Sequence, residues 1–258
     1  MKDIFLPNKA VSKSTMSLVL TIQIIFVGIV WLFSPFVFLP TPSEVWISFT
    51  KLWADGLGTE MCTSFILNVQ AMALATIITL LFSYCSVIPF FRPLIAFLGK
   101  LRFLSLIGLT FFFTLMAKTG HELKLYLLAF SMSVFFITSM ADIINSIPKT
   151  LYDLARTLRM GEVRVVWEVV IRSQIDKVFD ALRQNAAISW MMLTMIEGLS
   201  RSEGGVGTLL LNQNKHFHLS AIMAIQIVIL LIGLGQDYVI GVLKGIFCPY
   251  AKLTTERK

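Results

Sequence analysis

Of the 258 residues, 56% are hydrophobic and only 14% are charged, whereas a soluble globular domain carries about 25% charged residues. That composition excludes a soluble enzyme, a disulfide-rich secreted scaffold and a disordered tail, and it makes the lipid bilayer the solvent to reason from. The net charge of +7, from 22 Lys and Arg against 15 Asp and Glu, fits either nucleic-acid binding or the basic cytoplasmic loops of a membrane protein, and the positions of the basic residues decide between them.

Charge-free stretches run for 30 residues between Lys13 and Glu44, 31 between Glu60 and Arg92, 15 between Arg102 and Lys118, and 17 between Lys124 and Asp142. Two more follow, of 13 between Arg183 and Glu197 and of 21 between Lys215 and Asp237. A spanning helix needs about 20 mostly apolar residues to cross a hydrocarbon core of about 30 Å. The gaps predict six spans, at about 16–38, 64–88, 99–117, 123–144, 178–199 and 219–243. The third needs Lys100 and Arg102 to snorkel to the headgroups, and the fifth is short unless Asp180, Arg183 and Glu197 sit near its ends. With six spans and both termini inside, 17 of the 22 basic residues fall on the cytoplasmic side, as the positive-inside rule requires. The basic excess then needs no nucleic acid. The first span is too long for a signal peptide and is read as retained. Cys62, Cys85 and Cys248 show no C-x-x-C spacing and read as apolar fillers, with no metal site.

Two interruptions carry the functional signal. After the first span, Thr41 can cap a helix, Pro42 fits its first turn, and Glu44 completes a capping box. Val45, Phe49, Leu52 and Trp53 then share one stripe, which predicts an interfacial helix over 42–54 on the outer face, with Trp46 and Trp53 at headgroup depth. The second interruption is the loop 146–172, the longest cytoplasmic connection. Ser146 or Thr150 can cap a helix there. Leu151, Leu154, Ala155 and Leu158 form an i, i+3, i+4, i+7 stripe, and Val163, Val166, Trp167 and Val170 form a second with the same spacing. Gly161 supplies a flexible corner between the two. Such an elbow either packs back on its own bundle or docks in a groove on a cytoplasmic partner.

Thr41-Pro42-Ser43-Glu44-Val45 matches the motif that follows the first helix in permease subunits of binding-protein-dependent ABC importers of the nitrate/sulfonate/taurine/bicarbonate group. Asp153-Leu154-Ala155-Arg156-Thr157-Leu158 resembles their E-A-A-R-T-L, which opens the loop that couples to the ATPase. Val169-Val170-Ile171-Arg172 stands where they have V-V-L-P, and Glu197 followed by Gly205-Val206-Gly207 resembles their Glu and G-L-G. From about Leu39 to Tyr250 the chain resembles this family. The resemblance implies an all-α polytopic transmembrane bundle in a bacterial inner membrane, with no catalytic residues and no cofactor of its own. It also implies three protein partners: an ABC ATPase subunit that binds ATP, a second permease copy, and an extracytoplasmic substrate-binding protein. The coupling residues would be Asp153, Leu154, Ala155, Arg156, Leu158, Arg159, Gly161, Val166 and Trp167. Three positions depart from the family: Asp153 replaces its Glu, Arg159 its loop Gly and Arg172 its closing Pro, and the prolines common in its third helix are absent between Leu101 and Leu115. Either the loop geometry is shifted or the partner differs.

No G-x-x-x-x-G-K-[ST] occurs, so any ATP is bound on another subunit. Within the fifth span, Glu197 shares a face with Trp190 and Thr194, and Asn185 and Ser189 add a polar strip. An ionisable group at such depth faces a cavity or ends the helix at the headgroups, here with Arg201 as a partner. On the first alternative Asn185, Ser189, Thr194 and Glu197 line a translocation pathway, and Glu197→Gln lowers transport while leaving assembly intact. His121, His216 and His218 read as outer-loop histidines. The alternatives to an importer permease are a secondary carrier and a non-transporting scaffold; the inverted repeats and midplane charges of carriers are not evident.

Overall fold

In hydrocarbon each backbone N–H and C=O must be satisfied within its own segment, so apolar runs of this length become helices. The computed structural model describes residues 13–33, 39–200 and 203–249, and among them there is no strand. The helices are α1 (Lys13–Leu32), α2 (Pro42–Ala54), α3 (Leu57–Cys85), α4 (Arg92–Lys100), α5 (Leu106–Met116) and α6 (Gly120–Asn145). They continue with α7 (Lys149–Thr157), α8 (Glu162–Val165), α9 (Ile175–Leu199), α10 (Val206–Lys215) and α11 (Leu219–Phe247). A π turn over Val166–Ile171 and a short 3-10 turn over Arg172–Gln174 join α8 to α9.

The chain is an all-helical, polytopic bundle. Four helices, α1, α3, α6 and α11, are long and apolar enough to cross a membrane. The core is built where α3, α6 and α9 meet: Leu67, Ala71 and Ala75 pack on Leu127, Leu128 and Met132 and on Leu193 and Ile196. Ala71 and Ala75 are small enough for the helix backbones to approach closely. A second cluster joins α2, α3, α10 and α11 through Val45, Leu52, Leu57, Met61, Val206 and Ile225.

The span expected as one helix over 99–117 is broken. Leu104 and Ser105 leave the helical region, with ψ of 135° and 126°, and the two halves of the pair Pro89–Phe103 and Leu106–Met116 meet at 111°. Alone, the 11 residues of α5 reach about 16 Å at 1.5 Å per residue, too short to cross. The pair is thus either a broken span or a re-entrant loop. Helix α9 has the length, 25 residues, but carries Asp176, Lys177, Asp180, Arg183 and Glu197. Two of these are partnered on α11: Arg183 makes a bidentate bridge to Asp237 at 2.8 and 2.5 Å, and Asp180 accepts from Lys244 at 2.5 Å. Asp237 is therefore an inter-helix tie. Expected span residues 34–38 lie outside the described residues.

The two ends of the bundle carry different structures. At one end the α7–α8 elbow packs Ile147, Ala155, Val165, Val169 and Val170 against Tyr84 and Val87 at the foot of α3. At the other lie α2, α10 and the starts of α3, α6 and α11, with Ser48 donating to Ser220 at 2.8 Å. Here α2 has the expected capping box. The Thr41 side chain accepts from the Glu44 N–H and the Glu44 carboxylate accepts from the Thr41 N–H at 3.1 Å. Val45 and Leu52 are buried, while Trp46 and Trp53 are exposed.

Candidate functional site

Helix α7 begins after Pro148 with no side-chain cap; Ser146 instead donates to the Ile143 carbonyl, and Thr150 caps nothing. Packing splits the two apolar stripes. Ala155, Val165, Val169 and Val170 are buried on the bundle. Leu154, Leu158, Val163 and Trp167 face outward at 57%, 62%, 86% and 58% exposure, and Val166 is half-buried. Val163 and Trp167 line a shallow cleft with Gly161, Glu162, Arg164 and Glu168, and Leu154 and Leu158 stand exposed at the end of α7. Asp153, Arg156 and Arg159 are exposed beside it, and Arg156 pairs with Glu162 at 3.6 Å. Scattered exposed apolar side chains are ordinary, but an apolar cleft flanked by charge is a protein-binding feature.

The corner of the elbow is not at Gly161. That residue is extended, φ −66° and ψ 151°, and a Cβ there would meet nothing. Arg159 holds the left-handed turn, with φ +53°. The Leu158 N–H donates to the Leu154 carbonyl at 3.1 Å and the Met160 N–H to the Ala155 carbonyl at 3.2 Å. The second bond, reaching back five residues around a left-handed residue, is the signature of a Schellman C-cap. Arg159 thus adopts the conformation a glycine favours at the position where the resembling family has one.

At the opposite end, side chains from three helices, α3, α6 and α9, hold the turn 204–207. The buried Glu197 accepts from the Ser64 hydroxyl at 2.6 Å and from the Gly207 N–H at 2.8 Å. Ser64 in turn accepts from the Val206 N–H at 2.9 Å, Glu60 accepts from the Gly205 N–H, and the buried Lys124 donates to the Gly204 carbonyl at 2.8 Å. The Lys124 ammonium also lies within electrostatic reach of Glu60, Glu197 and Glu203. Gly204 and Gly205 have φ of +71° and +108°, and a side chain on Gly205 would strike the Glu197 carboxylate. At Gly207 a Cβ would strike the Thr194 carbonyl. The glycines therefore let α10 lie directly on α9, with a carboxylate accepting an otherwise unpaired N–H of its first turn.

This geometry does not bring the four expected pathway residues onto one open surface. Asn185 and Ser189 are buried between helices: Asn185 donates to the Met132 carbonyl at 3.3 Å and Ser189 to the Ala186 carbonyl at 2.7 Å. Glu197 is held in the clamp, and Arg201, its suggested partner, lies outside the described residues. Thr194 alone among the four lines an open groove of about 480 Å³ between α9 and α11, with Trp190, Met191, Gln226, Gly233 and Asp237. Beneath that groove Trp190 and Asn68 both donate to Gln236 Oε1, at 2.8 and 3.1 Å. Sequence reading missed Glu60, Ser64, Lys124 and Gln236. The one available signal was Glu60 and Ser64 four apart on an otherwise apolar helix, which puts them on one face.

No protein-family model matches the chain. Over 94 residues it is 30% identical to a protein named as an ABC transporter permease in Methanocaldococcus jannaschii, a stretch covering 36% of this chain and 35% of that one. The chain thus matches about a third of its curated relative's length. That likeness is to a transport subunit rather than to an enzyme. Taken with the long apolar helices, it makes the chain a permease-like membrane protein, similar over part of its length to an ABC transporter permease.

Proposed function

We propose that the chain is the permease subunit of an ATP-driven ABC importer and that the elbow 146–172 hands it force from a separate ATPase in the cytoplasm. The single observation that carries this reading is the split elbow. One apolar face is buried on the foot of the bundle, and a second, Leu154, Leu158, Val163 and Trp167, stands free beside Arg156 and Arg159. A partner gripping the free face would move the buried face, and the bundle with it. We read six crossings, taking the bent α4–α5 pair and α9 as spans beside the four long apolar helices. Helix α3 finishes at the elbow, α6 starts at the clamp, and the broken α4–α5 pair must cross between them. Helix α9 runs back from the elbow to the clamp, and α1 and α11 complete the set. Both termini are then cytoplasmic, and the membrane is the inner membrane of a bacterium. With no P-loop in the chain, closure of an ATPase pair on nucleotide would rock the bundle between outward- and inward-facing states. The α9–α11 groove with Thr194 is the wall of the solute path, completed by a second permease copy. The solute is a small anion of the nitrate, sulfonate, taurine or bicarbonate type, delivered by an external binding protein.

Leu154→Asp with Leu158→Asp tests this reading. Both side chains are exposed, so the variant keeps its thermal stability while an ATPase subunit that copurifies with the parent chain is lost. Ala155 is unsuited to the test, because it is buried and an Asp there would unfold the elbow. ATP-independent uptake by the purified chain alone would contradict the reading and favour a secondary carrier.

A further inference from the structure

A cavity of about 860 Å³ lies between α4, the end of α6, α7 and α8, and it shares Glu162 with the exposed cleft of the elbow. Beside Ser86 and Asn145, its lining carries the charged and phenolic groups Arg92, Lys149, Tyr152, Asp153, Arg156 and Glu162. Arg156 and Glu162 pair with each other. Arg92 gives one N–H to the Ser86 carbonyl at 3.3 Å, which leaves its other nitrogens available. Among the described residues neither Arg92 nor Lys149 has a carboxylate within ion-pair distance. Asp153 is the remaining acid, so the cavity keeps one unit of positive charge. Burial pushes the Tyr152 phenol up from its ordinary value, against the opposing pull of Arg92, so its hydroxyl stays protonated and able to donate. Its other wall is apolar, formed by Val87, Ile95, Ile144 and Val165. The cavity opens where α3 and α6 end, at Cys85 and Asn145.

We propose that this cavity binds an anionic phospholipid of the cytoplasmic leaflet, with Arg92 and Lys149 on its phosphate and the Tyr152 hydroxyl donating to it. The inference rests on the orientation given above, which sets the cavity at inner headgroup depth. Basic pockets between membrane helices on that side are lipid-headgroup sites, and ionised acceptors strengthen each such hydrogen bond. The apolar wall decides between the two sources of phosphate: it suits the glycerol and first acyl carbons of a lipid and offers nothing to a free anion. A lipid seated there bridges α4 to α7 and braces the elbow against the bundle.

The test uses the purified full-length chain in detergent, with thermal stability and bound lipid (by native mass spectrometry) as readouts. Phosphatidylglycerol raises the melting temperature, and about one molecule stays bound per chain. Phosphatidylcholine does neither. Arg92→Gln with Lys149→Gln melts like the parent without lipid and weakens phosphatidylglycerol binding about ten- to thirty-fold. Lys177→Gln, at an exposed lysine outside the cavity, changes nothing. Equal responses to phosphatidylcholine, or undiminished binding by the double variant, overturn the proposal. Inorganic phosphate reproducing the effect overturns it in favour of a free-anion site. Binding in detergent is independent of which face is cytoplasmic, so its loss leaves the permease reading standing. An outward-facing elbow would sink that reading without touching the binding.

Discussion

A left-handed φ of +53° at Arg159 costs an L side chain about 1–2 kcal/mol that glycine is spared. Arg159→Gly is therefore expected to stabilise the protein by about 1 kcal/mol, while Gly161→Ala stays within about 0.5 kcal/mol of the parent; thermal melts of the two variants check both. The reverse ranking would return the corner to Gly161, the residue that sequence composition favours. Glu197 is also re-read at this scale. Both of its oxygens accept, from Ser64 and from Gly207, and glutamine would turn an N–H₂ toward one of those donors. Glu197→Gln should thus lower stability by about 1–3 kcal/mol, and its effect should be non-additive with Ser64→Ala because the two share one network. Unchanged stability with reduced transport would instead support the pathway role expected from sequence. The Thr41–Glu44 box was legible because a capping box is local, three residues across. The clamp was not, because Ser64 and Glu197 are 133 residues apart and no local pattern encodes that distance.

Elements were legible where apolarity is continuous and ambiguous where it is not. The long runs of α3, α6 and α11 could be read directly. The break at Leu104 and Ser105 could not, since fifteen uncharged residues look alike in one helix or two. Helical periodicity located both elbow stripes but could not say which side of each would be buried. Leu154 and Ala155 are neighbours in one stripe with opposite fates, decided by the tertiary contact with Tyr84 and Val87. The packing of α10 on α9 belongs to this scale too. A side chain on Gly207 would meet the Thr194 carbonyl, which is backbone and cannot swing away. Gly207→Ala should cost about 1–3 kcal/mol, as over-packing does. Limited proteolysis should then cut first within 203–215; a wild-type melting curve and digestion pattern would mean that α10 is not held where we find it.

At the scale of the molecule, the hydrophobic bundle has no nucleotide-binding loop and two unlike ends, a charged clamp and a partly free elbow. The polytopic helical class was plain from composition alone, because lipid solvation allows little else. The partner and the direction of force stay proposals, resting on the coupling-loop residues and the positive-inside count. The elbow's free face is the element on which the account depends, and photo-cross-linking from position 163 in intact cells interrogates it most directly. Val163 is 86% exposed on the wall of the cleft, so a photo-reactive side chain there disturbs no packing. The expected product joins this chain to a second polypeptide carrying a P-loop, and it disappears in the Leu154→Asp, Leu158→Asp background. Cross-links only to lipid or to extracytoplasmic proteins would contradict the account.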